Sequence, residues 1–95
     1  IEVGERKISV AYNDIFFFET SRNIHKVILH AKDRQIEFSN TIKELTNTLD
    51  DNFVRCHRSF LVNKNNIKEV DMKNRIIHFI NGETCLMSIR MMKNF

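Results

Sequence analysis

The chain has 95 residues, of which 42% are hydrophobic and 28% charged, the make-up of one globular domain with one ordinary core. Lys and Arg number 15 against 12 Asp and Glu, a formal net charge of +3, which permits an anionic partner without requiring one. Charges interrupt every apolar run well short of the ~20 residues of a membrane span. Two glycines and two cysteines exclude a Gly-rich phosphate loop, a disulfide scaffold and a four-cysteine zinc site.

Ile8, Val10 and Tyr12 alternate with Lys7, Ser9 and Ala11, a period of two that predicts a strand. Asn13-Asp14 marks a turn, and Ile15-Phe16-Phe17-Phe18 predicts a short buried strand. Another strand is expected over 24–31. Lys32-Asp33-Arg34 then turns the chain into Gln35-Ile36-Glu37-Phe38, with Ile36 and Phe38 on one face. Thr41-Ile42-Lys43-Glu44 has capping-box spacing, and Ile42, Leu45 and Leu49 share one helical face. One short helix is therefore predicted over about 41–49, stopped by Asp50-Asp51-Asn52. Strands resume at Phe53 and run through Val62, and 63–66 is a polar turn. Ile67, Glu69 and Asp71 then oppose Lys68, Val70 and Met72. Asn81-Gly82 between two apolar runs is the signal of a hairpin with a type I′ turn. The segment 89–95 reads as a short terminal turn of helix. The expected fold is mainly β in a single domain, 1–95.

Catalytic readings fare poorly. Cys56 adjoins His57, but neighbours on a strand point to opposite faces, which opposes a Cys-His dyad. The acidic residues suggest no carboxylate pair. The four dispersed histidines have no metal-ligand spacing, and His30 and His78 read as satisfied strand histidines. No enzyme activity, metal or cofactor is expected. The chain does not open with Met and its first residues lack the order of a signal peptide. It reads as a domain of a longer protein in a reducing, cytoplasmic setting with no membrane partner.

Charge is not spread evenly. Residues 21–32 hold Arg22, His25, Lys26, His30 and Lys32 with no acid. Residues 52–68 hold Arg55, His57, Arg58, Lys64 and Lys68, again without one. Arg, His, Asn and Ser gather at predicted strand ends and turns, where side chains project. Arg and Asn also carry the forked groups that match guanine and adenine edges. The alternative is a protein-interaction module whose basic face meets an acidic partner.

The string FVRCHRSFLVNKNNI, preceded by FFFET and followed by CLMSIR, resembles the LytTR family. Within it the chain is similar to the C-terminal domains of AgrA-type response regulators. The resemblance spans essentially the whole chain. It implies about ten strands in small sheets with a short helix, and loops that enter the major groove. It also implies binding to double-stranded DNA at direct-repeat promoter sites beside a second copy. A receiver domain outside this chain, phosphorylated by a sensor kinase, is implied as well, in transcription regulation of the quorum-sensing type. The family's base-reading positions fall on His25, Arg58 and Arg90. AgrA-type members carry Asn at position 58, so Arg there shifts the expected preference from adenine toward guanine or a phosphate. Arg22, Lys26, Lys64 and Lys93 are expected at phosphates, with Ser59, Asn63 and Ser88 as neutral hydrogen-bonding partners.

Cys56 and Cys85 come within disulfide range if the last strand packs near 53–61, since a disulfide needs Cα atoms about 4.4–6.8 Å apart. Positive charge at His57 and Arg58 would then lower a thiol pKa. Oxidation of the pair would distort the contact loops and weaken DNA binding. The plain alternative is two buried structural thiols.

Overall fold

Ile15, Phe16, Phe17 and Phe18 are all buried, so their strand cannot have one wet face. It needs a core on each side. The computed structural model describes residues 1–95 and contains two hydrophobic clusters. Strands β1 (Glu2–Val3) and β2 (Arg6–Lys7) form a small hairpin. Strands β3 (Ile15–Thr20), β4 (Lys26–Ala31) and β5 (Gln35–Ser39) are followed by helix α1 (Ile42–Thr48), then β6 (Phe53–His57) and β7 (Phe60–Asn63). These build a five-stranded antiparallel sheet of order β5-β4-β3-β7-β6. Strands β8 (Ile67–Asp71), β9 (Ile76–Phe79) and β10 (Thr84–Leu86) form a separate three-stranded sheet. The mainly β fold of ten strands in small sheets with one short helix is the one expected.

β3 divides its residues between the two cores. Ile15 and Phe18 join Val27, Leu29, Phe38 and the Ile42 and Leu45 face of α1. Phe16 and Phe17 join Val62, Ile77, Phe79 and Met87. Neighbours such as Phe16 and Phe17 share a core because the pairing register slips between Ile15 and Phe17, and a β-bulge breaks strict alternation. The same device corrects the expectation for β8. A bulge between Ile67 and Glu69 brings Ile67 and Val70 onto the second core together, instead of onto opposite faces.

Two other expectations change. Residues 8–11 form no strand. Ile8 and Val10 do pack against the first core, so the period of two reported burial, but the only pairing is at Ile8, which exchanges backbone hydrogen bonds with Ile1 at 2.7 and 3.1 Å. The Asn81-Gly82 hairpin is not type I′, because Gly82 has positive φ (90°) and Asn81 does not. Phe79 O accepts from Gly82 N–H at 3.0 Å and Phe79 N–H donates to Glu83 O at 2.9 Å, a three-residue loop with one left-handed residue. The 63–66 turn is polar as read, with Lys64 and Asn65 exposed and Asn63 and Asn66 buried.

Helix α1 begins as read. Thr41 Oγ1 accepts from Glu44 N–H at 3.1 Å, while Asn40 Oδ1, not the Glu44 carboxylate, takes the Thr41 N–H at 2.7 Å. The tail forms a 3-10 helix over Ile89–Asn94. Its Met92 and Phe95 pack against the second core.

Candidate nucleic-acid interface

Antiparallel pairing brings the ends of several strands to one end of the large sheet. Thr20 closes β3 and its N–H donates to Ser59 O at 2.9 Å. The loop 21–25 therefore stands beside the β6–β7 turn that carries Arg58. Ser88 N–H donates to Cys56 O at 2.8 Å, and Asn94 Nδ2 donates to Arg55 O at 3.0 Å. The C-terminal 3-10 helix, with Arg90 and Lys93, is thus docked along β6 near the same turn.

Each of the three segments is held by its own contacts. In the first, Ser21 Oγ donates to the Glu37 carboxylate, and Asn23 Nδ2 donates to the same group at 3.0 and 3.2 Å. Hydrogen bonds from Ser21 and then Asn23, with the Lys26 charge adding, hold the Glu37 carboxyl below its ordinary range. His25 sits at φ 57°, a region that His enters more readily than most residues, and its carbonyl accepts from Asn40 N–H at 3.1 Å. In the second, Arg55 Nη2 donates to Arg58 O at 2.7 Å and Ser59 N–H donates to His57 Nδ1 at 3.1 Å. In the third, Ser88 Oγ accepts from Met91 N–H at 3.2 Å and caps the 3-10 helix.

Arg22, His25, Lys26, Arg58, Arg90 and Lys93 are all exposed. None has a carboxylate within salt-bridge distance, because the only such contacts in the structure join His30 to Glu19 and Glu83. Glu19 and Glu83, acids that could otherwise neutralise Arg58 or Arg90, are both engaged at His30. Ser59 and Ser88 are half-buried among these cations.

Two expected contact residues are not brought here. Asn63 is 1% exposed. Its Nδ2 donates to Tyr12 O at 2.9 Å and Ile15 O at 3.0 Å, and its Oδ1 accepts from Asn65 N–H at 3.1 Å. Its amide is fully used in holding the chain before β3, so it is not a phosphate contact. Lys64 is exposed but follows the far end of β7. The four residues of β7 put about 13 Å of strand between it and Ser59.

Sequence reasoning missed the supports: Glu37 under the first loop, and Arg55 and His57 under the second. The stretch from Phe53 to Val62 was read as strand throughout, so the β6–β7 turn that brings Arg55 Nη2 to Arg58 O had no signal. Nothing local pointed to Glu37, which arrives from a neighbouring strand.

Cys56 and Cys85 are both free and buried. Cys56 Sγ donates to Leu86 O at 3.3 Å. A hydrogen bond with Cys56, then burial, push the Cys85 thiol up, and the charges of Glu19 and Glu83 add to this. No group of three or more His, Cys, Asp or Glu residues could hold a metal ion. No helix is long and apolar enough to cross a membrane.

Comparisons with known proteins agree with this geometry. The family profile described as the LytTr DNA-binding domain matches residues 5–95. Accessory gene regulator protein A of Staphylococcus epidermidis is 48% identical over 90 residues, covering 95% of this chain and 37% of that protein. The Staphylococcus aureus protein of the same name is 49% identical with the same coverage. The chain thus spans 37% of the length of these relatives. A LytTr DNA-binding domain from Bacillus cereus matches with a TM-score of 0.82 at 26% identity, over 99% of this chain and 88% of that one. A profile match over nearly the whole chain, carried by the same fold, is decisive: the chain belongs to the LytTR family of DNA-binding domains.

Proposed function

We propose that the chain binds promoter DNA by sequence and regulates transcription as the output domain of a two-component response regulator. Its loops enter the major groove, and two copies sit on direct repeats. His25, Arg58 and Arg90 read base edges. Arg22, Lys26, Ser59, Ser88 and Lys93 hold the phosphates on either side. A sensor kinase acts on a receiver domain outside this chain. The names of the accessory gene regulator relatives support a regulatory role of the quorum-sensing type.

One observation carries the reading. Exposed cations converge at one end of the sheet without acidic partners, while Glu19, Glu37 and Glu83 are consumed by internal contacts. Unpaired Arg side chains on fixed turns suit guanine O6 and N7, which accept two parallel hydrogen bonds.

The test is a fluorescence-anisotropy titration of a direct-repeat duplex and a scrambled duplex at two salt concentrations under reducing conditions. Wild type is expected to prefer the repeat. Arg90→Ala is expected to lose about 1–3 kcal/mol, mainly on the repeat. Equal binding to both duplexes overturns sequence reading, and no binding to either favours an acidic protein partner.

A further inference from the structure

Ile24 is 83% exposed, the most accessible of the large apolar side chains. It stands in the loop that carries His25, and that loop is not loose. Lys26 N–H donates to Asn23 O at 3.2 Å, closing a four-residue turn with Ile24 and His25 at its corners. Only the second corner has positive φ, the pattern of a type II turn. Glu37 fastens the turn through Ser21 and Asn23, and Asn40 fastens it through the His25 carbonyl. A β-branched side chain has few rotamers, so Ile24 is a stiff apolar knob in a fixed position.

A lone exposed apolar residue is ordinary on a protein surface. This one is set apart by its place, at the corner of a pinned turn, next to a base-reading residue and between Arg22 and Lys26. The surface faced by such a loop is almost wholly polar. The major groove edge offers donors, acceptors and a single apolar group, the C5 methyl of thymine. We propose that Ile24 packs against a thymine C5 methyl when the loop enters the groove. The inference rests on the DNA reading assigned above to His25. Consecutive Cα atoms are about 3.8 Å apart and bases step by about 3.4 Å. The thymine therefore lies in the base pair that His25 addresses or in the adjacent one.

The test uses a duplex carrying the sequence that the wild-type chain selects from a randomised library. Each thymine is replaced in turn by deoxyuridine, which lacks only the methyl. For wild type, one replacement per bound copy is expected to weaken binding about four-fold, the worth of one buried methyl. Ile24→Ser is expected to bind the thymine and deoxyuridine duplexes equally, while Ile24→Val keeps the difference. Wild type indifferent to every replacement overturns the inference, and so does Ile24→Ser with an unchanged response. Selection of a sequence without methyl sensitivity removes only this inference. Failure to select any sequence removes the DNA reading and the inference with it.

Discussion

Nδ1 of His30 lies 2.8 Å from a carboxylate oxygen of Glu83, across a sequence separation of 53 residues. The contact ties β4 of the large sheet to the end of the β9–β10 hairpin in the small one. On the other side of the ring, Nε2 lies 2.7 Å from Glu19. The ring stacks on Phe17 with centroids 4.0 Å apart, and Phe17 stacks on Phe79 at 5.1 Å. A neutral imidazole has one N–H donor, so both contacts are hydrogen bonds only when the triad carries an additional proton. Glu83→Ala removes the tie between the sheets and is expected to lower the free energy of unfolding by about 1–3 kcal/mol, read by urea titration. An exposed control such as Glu2→Ala should stay within about 0.5 kcal/mol. Equal behaviour of the two would mean that the tie contributes nothing.

Asn63 separates a structural role from a contact role. Its replacement by Ala removes three hydrogen bonds, to the Tyr12 and Ile15 carbonyls and from Asn65 N–H. The two carbonyls keep Ile15 N–H and Asn66 Nδ2 as donors, so the expected loss of stability is about 1 kcal/mol per lost bond. The folded fraction of Asn63→Ala should keep the wild-type dependence of DNA affinity on salt. A shallower dependence in that variant would restore Asn63 as a phosphate contact.

Salt titration also sorts the lysines. Neutralising one phosphate contributes about −0.9 to the slope of log affinity against log salt. Lys26→Ala and Lys93→Ala should each make the slope shallower by about that amount and weaken all duplexes alike. Lys64→Ala should leave it unchanged, because Lys64 lies at the other end of β7. A slope change in Lys64→Ala would mean that DNA extends along the sheet.

The Glu37 network predicts an acid-sensitive loop. Its carboxyl is held below the ordinary range in the folded chain. The stabilisation it gives is therefore fully present above the ordinary Glu pKa of about 4.3 and is lost as pH falls through the depressed folded value. Hydrogen exchange of the amides in 21–26 should accelerate, relative to the intrinsic rate, as the acid limb is entered. Glu37→Gln should have lost most of this pH response. The same response in both proteins would assign it to another group.

The thiols should be slow in the folded state. Cys56 and Cys85 are 0% and 3% exposed, and the Cys85 thiol is pushed up, so little thiolate is available to react. Alkylation is expected to follow unfolding, with rates rising in urea in step with loss of structure. Where peroxide does convert the pair to a disulfide, with both thiols lost and peroxide reduced to water, DNA affinity should fall. Unchanged affinity after confirmed thiol loss would leave the pair as packing residues.

Local signals in the sequence specified most of the elements. The run from Ile15 to Phe18 named a buried strand, Thr41 and Glu44 named the start of α1, and the apolar tail named the terminal 3-10 helix. The alternation through Ile8 and Val10 marked burial but not a strand, because a ladder beyond Ile8 requires a partner that no local pattern encodes. Bulges in β3 and β8 were invisible for a similar reason. A bulge is a mismatch between two strands, and each strand alone looks regular.

Composition, charge order and periodicity by themselves determined a β-rich domain, its single helix and two acid-free basic stretches. Only the tertiary structure decided which members of those stretches share a surface. Strand pairing put Arg58 beside the His25 loop and sent Lys64 to the far end of β7, although Arg58 and Lys64 are near neighbours in the chain. Burial then withdrew Asn63, whose polar side chain satisfies the backbone of a distant segment. The physical reason is that a side chain's availability depends on what its partners have already taken. Glu19 and Glu83 are taken by His30 and Glu37 by Ser21 and Asn23, and the cations at that end of the sheet remain free for DNA.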